Sequence, residues 1–342
     1  MEIDGSYGEG GGQILRTAVA MAVYTGTPVV INNIRQGRPD PGVQAQHLAG
    51  VKALASLCRA EVTGLHQGSQ TVCFRPGETV EGPLDIDIGT AGAIGLVFQA
   101  TMVPAARAER PVHVEVRGGT DVAWAPSVIY LREVTLRLLG TIGFHGRLEL
   151  HRRGYFPRGG GYVVGHFHAN GFRALDLVDR GDLLAVRGVS HASTALRPRG
   201  VAERQRDAAL EVLSDLTDAC DIEIEYGFTH SPGSGIDLWA VAEHSVLGGT
   251  ALGARRKRAE EVGREAARAL VKQIISRAAL DEWMGDQILP FVSLARGVSR
   301  FSVPVLTRHL KTNLWVIRRF LPVSVQTTKE DTRTIVEVTS CS

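Results

Sequence analysis

The sequence has few cysteines, few lysines and no long apolar run. The cysteines form no C-x-x-C pair, which argues against a zinc site and a disulfide framework, so we expect reduced thiols. No run of about 18 apolar residues occurs, so we expect no membrane partner. The first ten residues are acidic and glycine-rich where a signal peptide would be basic and then apolar, which predicts a cytoplasmic location. The four cysteines are Cys58, Cys73, Cys220 and Cys341.

The chain also lacks a strong net charge. Its 38 basic and 36 acidic residues leave a net charge of +2, so bulk charge gives no argument for nucleic-acid binding. Only five of the 38 basic residues are lysines, and the remainder are arginines, whose planar guanidinium suits phosphate oxygens. An arginine bias of the genome explains the same excess equally well. The 342 residues exceed the usual size of a single core, which favours two domains.

A repeated pattern organises the chain. The strand-like segments PVVINNIRQG (28–37) and PVHVEVRGGT (111–120) resemble each other, and each is preceded and followed by a helical pattern. Two further strands complete a β-α-β-α-β-β unit. A third unit begins at FRALDLV (172–178) and resumes at residue 282 after a long interruption. These patterns predict an α/β (α+β) fold built from three such units, whose helical layers bury one another.

The interruption predicts an inserted domain. We expect a large domain at 1–182 and 278–342, with a small α/β domain inserted at 183–277 in the third unit. Its predicted strands are 183–190, 221–227 and 236–242, and its predicted helices are 201–218 and 255–276.

The stretch GEGGGQ (8–13) places four glycines and one carboxylate directly before a helix. Glycine allows a ligand to approach the backbone closely, and the N–H groups at a helix start favour an anion such as a phosphate. A carboxylate would repel a bare phosphate, so Glu9 indicates a divalent cation between the two. A tight turn with Glu9 as a charge at the helix start explains this stretch equally well.

Three arginines lie near the same end of the first unit. Arg35 and Arg38 belong to a Pro/Gly-rich loop that leads into the second helix, and Arg16 lies one turn inside the first helix. Their guanidinium groups are predicted to converge on phosphates. The alternative for each arginine is a solvated side chain.

His309 opens a helix in LTRHLKTNLWVIRRFLP (306–322). Because the helix dipole disfavours the imidazolium, we expect His309 to be neutral and nucleophilic, able to attack phosphorus. The alternative is a capping or solvated histidine. His47 holds the equivalent position in the first unit and is the competing nucleophile.

Five ordered stretches resemble the signatures of the RNA 3'-terminal phosphate cyclase family: GSYGEGGGQILRTA, IRQGRPDPGVQAQHL, VRGGTDVAWAPSVIYL, RRGYFPRGGGYV and HLKTNLWVIRRFLP. The resemblance spans nearly the whole chain and is weakest in the predicted insert. It implies three β-α-β-α-β-β units akin to the C-terminal domain of a bacterial translation initiation factor, with a small α/β domain in the third.

The resemblance implies a ligase-type nucleotidyl transfer enzyme. In that family a histidine, here matched by His309, attacks the α-phosphate of ATP and forms a histidine-AMP phosphoramidate. The AMP then passes to an RNA 3'-phosphate, and the neighbouring 2'-hydroxyl displaces it to give a 2',3'-cyclic phosphate. The implied cofactors are ATP and a divalent cation, Mg or Mn, and the implied partner is RNA with a 3'-phosphate end.

The resemblance also assigns site residues by position. His309, Arg16 and Arg38 match catalytic positions, and Glu9 matches a metal-contacting carboxylate. The matches to nucleotide-binding positions are Gly10, Gly11, Gln13, Arg35, Gln46, Pro126, Trp283, Asp286 and Gln287. Two positions depart from the family pattern: Trp283 stands where tyrosine is commoner, and Lys311 stands where an apolar or small residue is frequent. Arg158, in PRGGG, is a further candidate for an RNA contact.

Two other functions compete with this one. A non-catalytic, cyclase-like ribosome-assembly factor would keep the fold but lack the reactive histidine, which His309 argues against. An enolpyruvyl-type transferase would share a repeated β-α architecture but would not use ATP. No helix carries a sustained heptad pattern, so the sequence leaves the oligomeric state open.

Overall fold

The structure is a computed structural model that describes residues 1–78 and 82–340. Helices and strands alternate along it, which confirms the predicted mixed α/β class. The first sheet contains β1 (Glu2–Asp4), β2 (Val29–Asn32), β3 (Glu61–Thr63) and β4 (Val72–Arg75), in the order β1-β2-β4-β3. Two helices connect these strands, α1 (Gly12–Thr25) and α2 (Ala45–Leu57).

The second sheet contains β5 (Leu84–Asp87), β6 (Val112–Gly118), β7 (Phe144–Arg152) and β8 (Gly161–Ala169), in the order β5-β6-β8-β7. Helix α3 (Ile94–Ala105) joins β5 to β6. The single helix expected between β6 and β7 is divided into α4 (Val128–Tyr130), a π-helical turn (Leu131–Thr135) and α5 (Leu136–Thr141).

After β9 (Asp176–Leu177) comes a sheet that contains β10 (Leu183–Ser193), β11 (Cys220–Gly227), β12 (Ser234–Ala242) and β13 (Val246–Leu252), in the order β11-β10-β12-β13. Its helices are α6 (Val201–Leu213) and α7 (Ala259–Ile275), and a 3₁₀ turn covers Thr194–Arg199. These elements share a small apolar core of their own. The domain bounds given above stay predictions.

The last part of the chain returns to β9. Helix α8 (Met284–Val292), β14 (Gly297–Val303), α9 (Arg308–Phe320), β15 (Val323–Lys329) and β16 (Thr334–Ser340) follow in that sequence. The sheet has the order β15-β16-β14-β9, so its first strand lies beside its second and its second beside its fourth, as in the first and second sheets. One large apolar core joins α1, α2, α3, α8 and α9 to the inner faces of these three sheets.

Strand β13 was not predicted from the sequence. The paired glycines Gly248 and Gly249 disfavour a strand by propensity. A Cβ at Gly248 would lie 2.4 Å from the Tyr130 ring, and one at Gly249 would lie 2.6 Å from Cβ of Leu270. The glycines therefore admit a ring on one side and a helix on the other, which overrides the local preference.

Two simpler expectations can be compared with the described residues. Cys58, Cys73 and Cys220 are free thiols, as expected, whereas Cys341 lies outside the described residues. Within the described ranges, none of the helices combines the length and apolar character needed to cross a bilayer.

Two helical glycines give a matched test of the packing. A Cβ at Gly263 in α7 would lie 2.0 Å from the backbone oxygen of Gln205, whereas the nearest atom to a Cβ at Gly50 in α2 is Cβ of Ala100 at 3.8 Å. We expect Gly263→Ala to lower the free energy of unfolding by about 1–3 kcal/mol through overpacking. Gly50→Ala should raise it by about 0.5–1 kcal/mol because alanine favours the helix. Urea denaturation measures both changes, and a stabilising Gly263→Ala would contradict the close packing of α6 and α7.

Candidate active site

The glycine loop before α1 is shaped by side chains from distant parts of the chain. Gly8 and Gly10 both adopt φ +60, a conformation that suits glycine. A Cβ at Gly11 would lie 3.1 Å from Nη2 of Arg38, and one at Gly12 would lie 2.0 Å from Nε2 of His47. The glycines were expected to make room for phosphates, but at these two positions the room is taken by Arg38 and His47.

Glu9, in the same loop, lies between two basic side chains. Its Oε1 accepts a short hydrogen bond from Nη2 of Arg38, and its Oε2 lies 2.7 Å from Nδ1 of His309. Burial opposes ionisation of this carboxyl, but His309 and Arg38 together lower its pKa. Glu9 is therefore a carboxylate at neutral pH.

His309 lies at the start of α9, where the hydroxyl of Thr307 caps the helix by accepting a hydrogen bond from the amide of Leu310. Its side chain is half exposed. Nδ1 of the ring lies 2.6 Å from Oε1 of Gln13 and 2.7 Å from Oε2 of Glu9. Because both neighbours are acceptors, Nδ1 must carry a hydrogen, and in the neutral ring the free lone pair lies on Nε2.

The helix dipole was expected to lower the pKa of His309, but the pKa is raised overall. The hydrogen bond with Glu9 raises the pKa of His309, and partial burial only opposes this rise. A carboxylate in contact with the ring outweighs the partial charge of the helix terminus. His309 is therefore more readily protonated than a free histidine.

His47 differs from His309 in every respect that matters for attack on a ligand. Its side chain is buried, and its Nδ1 accepts a hydrogen bond of 3.2 Å from the amide of Gln44 at the start of α2. Its Nε2 therefore carries the hydrogen and faces Gly12. Burial, with Arg16 and Arg35 nearby, lowers the pKa of His47 to about 3. The ring is neutral and has no free lone pair.

The three arginines of the sequence prediction have different roles in the structure. Arg38 pairs with Glu9, while Nη1 of Arg35 donates to the carbonyls of Asp40 and Gly42 in its own loop, at 2.7 and 3.2 Å. Arg16 lines a cleft and has no hydrogen bond or ion pair with any other residue of the described chain. Burial lowers the pKa of Arg16 to about 10, so it remains charged. Its guanidinium is available to an anion.

The cleft lies between α1, α3, α8 and α9 and opens to solvent. Three residues expected at the nucleotide line it, Gln13, Asp286 and Gln287. Oδ2 of Asp286 accepts a hydrogen bond of 3.0 Å from Nε2 of Gln13, which joins the cleft to His309. Burial raises the pKa of Asp286 to about 7. Gln287 accepts from the hydroxyl of Thr135 and donates to the carbonyl of Trp283.

The remaining predicted residues lie at the margins of this region. Trp283 precedes α8, is 40% exposed, and its ring meets the Tyr130 ring edge-to-face at 6.4 Å. The carbonyl of Pro126 lies close enough to Gly95 that a Cβ there would come within 2.4 Å. Gln46, in the first turn of α2, packs against Gly92.

Sequence reasoning missed three polar residues that organise the site. Thr312 accepts from the amide of Glu9 at 3.4 Å, and Asn313 donates to the carbonyl of Asp286 at 2.9 Å while accepting from the hydroxyl of Thr17 at 2.6 Å. The signal was present, since positions three and four residues after His309 lie on the same face of a helix.

Glu9 alone provides too few ligand atoms to hold a divalent cation. Glu9 is a single carboxylate, and the one group of three candidate metal ligands within the described ranges, Asp121, His191 and Asp237, does not include it. Mg²⁺ is commonly held by one or two carboxylates together with substrate phosphates. Glu9 therefore suits a cation whose remaining ligands are phosphate oxygens and water.

Comparison of the sequence with known proteins identifies a family for this chain. A sequence profile described as RNA 3'-terminal phosphate cyclase matches residues 7–327. Proteins named RNA 3'-terminal phosphate cyclase from Methanopyrus kandleri and Pyrococcus furiosus are 49% and 46% identical to the chain. The alignments cover 95% and 93% of this chain and 94% and 92% of those proteins. A protein of the same name from Archaeoglobus fulgidus is 46% identical, over 94% of this chain and 95% of its own length.

The pairing of Glu9 with His309 can be tested by NMR titration of the histidine rings. We expect His309 to titrate above the usual value of about 6.5 in the unmodified protein and at a lower pH in Glu9→Gln, because the carboxylate stabilises the imidazolium. His47 is the internal control and should stay neutral down to about pH 4, since its pKa is lowered to about 3. An unchanged His309 titration in Glu9→Gln would contradict the pairing.

Proposed function

Because the chain belongs to the RNA 3'-terminal phosphate cyclase family, we propose that it converts an RNA 3'-phosphate to a 2',3'-cyclic phosphate with ATP, through a covalent histidine-AMP intermediate. The observation that carries the mechanism is the free Nε2 of His309. Its ring is half exposed and held at Nδ1 by Glu9 and Gln13, so the other nitrogen is directed away from its protein partners.

The first step is attack by Nε2 of His309 on the α-phosphorus of ATP. An N–P bond forms, the P–O bond to the β-phosphate breaks, and pyrophosphate leaves. The ring gains positive charge, which Glu9 stabilises at Nδ1, as an acidic partner does in other activated nucleophiles. Attack requires the neutral ring, so the rate should fall as the pH drops through the raised pKa of His309.

In the second step an oxygen of the RNA 3'-phosphate attacks the same phosphorus, the N–P bond breaks, and His309 regains its lone pair. In the third step the 2'-oxygen attacks the 3'-phosphorus, its proton passes to solvent, and AMP leaves with the bridging oxygen. A phosphate monoester holds no good leaving group, which is why AMP must be installed first. Ring closure then depends on orientation, because the 2'-hydroxyl is already adjacent.

Each step builds charge on phosphate oxygens. Arg16 is suited to neutralise this charge because it lines the cleft and makes no hydrogen bond or ion pair with the described residues, although Asp286 and Glu9 lie near enough to attract it. Arg38 is a second candidate, once a cation takes its place on Glu9 or a phosphate takes the place of Glu9 on Arg38. A divalent cation held by Glu9 would supply further neutralisation of the phosphates. Such preorganised charge commonly provides the largest part of catalysis at phosphorus.

The adenosine has a place beside this centre. Trp283 directly precedes α8 and Pro126 lies against Gly95 of α3, two helices that contribute to the cleft, and Asp286 and Gln287 line it. The half-exposed indole offers a face for stacking on the base. His309 and Arg16 argue against a non-catalytic assembly role. Such a role would need neither an imidazole with a free nitrogen nor an arginine that lines the cleft.

Labelling with ATP that is radioactive at the α-phosphate tests the covalent step. With Mg²⁺ the protein should acquire an acid-labile, alkali-stable label, because a phosphoramidate has that stability. His309→Ala should acquire none. His47→Ala is the matched control, and the variant should still be labelled, since His47 is buried and has no free lone pair.

The mechanism is refuted if the label survives in His309→Ala or never forms in the unmodified protein. The end product needs its own assay, in which a 3'-phosphorylated oligonucleotide should become resistant to phosphatase. An end that stays sensitive to phosphatase would contradict cyclisation even where labelling succeeds.

Replacement of Arg16 separates binding from folding. We expect Arg16→Met to lower the labelling rate on the order of 10²-fold, as loss of one charge-stabilising donor does elsewhere. Stability should change little, because the variant removes a charge that burial penalises and that only the attraction of Asp286 and Glu9 offsets. Labelling kinetics and thermal denaturation give the two readouts. Normal labelling, or a marked loss of stability, would show that Arg16 serves the fold instead.

A further inference from the structure

Three large aromatic side chains point into solvent from neighbouring loops. Trp124 is 100% exposed, Phe156 is 77% exposed and Phe228 is 75% exposed. They belong to the loops 119–127, 153–160 and 228–233, which follow β6, β7 and β11. With the 3₁₀ turn at 194–199, we call these segments the aromatic loops. Side chains of this size are normally covered, so their joint exposure indicates a surface for a ligand.

Hydrogen bonds hold the aromatic loops side by side. The amide of Thr120 donates to the carbonyl of Gly154 at 2.9 Å, and the amide of Arg158 donates to the hydroxyl of Ser231 at 3.1 Å. The amide of Ser193, just before the 3₁₀ turn, donates to the carbonyl of Gly233 at 2.8 Å. The four segments therefore form one continuous surface, to which both the second sheet and the β10–β13 sheet contribute.

A charge network around the buried Arg153 lies beneath this surface and includes the partly exposed Glu225. Arg153 pairs with both oxygens of Asp121 and with both oxygens of Glu225, at 2.9–3.2 Å. The hydroxyl of Tyr155 lies 2.7 Å from Nδ1 of His191, whose Nε2 lies 3.2 Å from Asp237. These contacts fix the loops on their buried side. The three aromatic rings remain exposed on the other side.

Trp124 is held outward at a local cost. Its φ of +66 lies in the left-handed region, which a bulky side chain rarely adopts. Such strain persists only where the surrounding structure maintains it and commonly marks a functional position.

The exposed charges of the aromatic loops are all positive. Asp121 and Arg153 are buried, and the remaining charged residues are Arg158, Arg197 and Arg199, all exposed, with His230 beside the Phe228 ring. The guanidinium of Arg158 has no partner among the described residues. The guanidinium of Arg197 lies over the Tyr226 ring, 4.8 Å from its centre. Exposed aromatic rings interleaved with arginines are the pattern of a single-stranded nucleic-acid surface, where bases stack and phosphates are neutralised.

A chain of packing contacts links the aromatic loops to the candidate active site. A Cβ at Gly159 would lie 2.6 Å from the carbonyl of Thr90, so loop 153–160 touches the segment before α3. Gly92 of that segment packs against Gln46, which precedes His47, and His47 packs against Gly12 of the glycine loop. The loop 119–127 also carries Pro126, whose carbonyl lies against Gly95 of α3, a helix that contributes to the cleft.

We propose that the aromatic loops bind the RNA strand upstream of its 3'-phosphate, with bases stacked on Trp124, Phe156 and Phe228 and backbone phosphates paired with Arg158, Arg197 and Arg199. This inference rests on the proposed function, since it places the substrate of the same site. It gives the β10–β13 sheet a role in substrate binding. The single-stranded end of an RNA is the occupant, because stacking requires unpaired bases.

The test compares a long and a short substrate. We use a 3'-phosphorylated oligoribonucleotide of about ten residues, within the usual site sizes for single-stranded binding, and a 3'-phosphorylated dinucleotide. Single variants Trp124→Ala, Phe156→Ala and Phe228→Ala are measured beside Ile275→Ala, which removes an exposed apolar side chain outside the aromatic loops. Self-labelling with ATP, which needs no RNA, reports on folding and on the proposed function separately.

Each aromatic variant should keep its labelling rate and raise KM for the oligonucleotide about 5- to 100-fold, as the loss of one stacked base does elsewhere. Values for the dinucleotide and for Ile275→Ala should not change. Phe156→Tyr should keep the KM of the unmodified protein, whereas Phe156→Leu should raise KM as Phe156→Ala does, because stacking needs the ring. Arg158→Gln should reduce the slope of log affinity against log salt concentration by about one, the amount expected for the loss of one phosphate contact.

Unchanged oligonucleotide KM in all three aromatic variants would overturn the proposal and leave these loops to a protein partner. Equal increases in KM for the oligonucleotide and the dinucleotide would also overturn it, because the loops would then contact only the reacting end of the substrate. Failure of labelling in the unmodified protein would instead refute the proposed function.

Discussion

The contact between Glu9 and His309 is the constraint on which the rest of the site depends. The two residues lie at opposite ends of the chain, and only the packing of α1 against α9 brings them within 2.7 Å of each other. One contact has three consequences: it fixes the hydrogen of the ring at Nδ1, raises the pKa of His309, and keeps Glu9 ionised. Each is a consequence of placing a carboxylate against an imidazole in a partly buried position.

A second layer of polar contacts holds that pair in place. Gln13 joins His309 to Asp286, Asn313 joins Asp286 to Thr17, and Thr312 meets the amide of Glu9. These bonds connect α1, α8 and α9, so the site is built on the helices of the large core. Its polar groups are therefore held in fixed positions, as the proposed attack on phosphorus requires.

Particular residues show how far the sequence could go. The glycines, Arg16, Arg38 and His309 could be identified as site candidates because glycine, guanidinium and imidazole each have a narrow range of chemical uses near a helix start. Their partners could not be identified, since pairing of Arg38 with Glu9 or of Gln13 with Asp286 depends on loops and helices far apart in the chain. The same reason explains the wrong expectation for the protonation of His309. The helix dipole is a local property, whereas the nearby carboxylate comes from the other end of the chain.

The sequence by itself determined the mixed α/β class, the approximate places of most helices and strands, and the residue types available for chemistry at phosphorus. These follow from periodicity and composition, which are local. Only the tertiary structure decided that His309 and not His47 has a free nitrogen, that Arg16 lines the cleft without a hydrogen bond to the described residues, and that Gly248 and Gly249 lie in a strand. Those outcomes depend on burial and on contacts between distant segments, and such contacts exist only once the chain has folded.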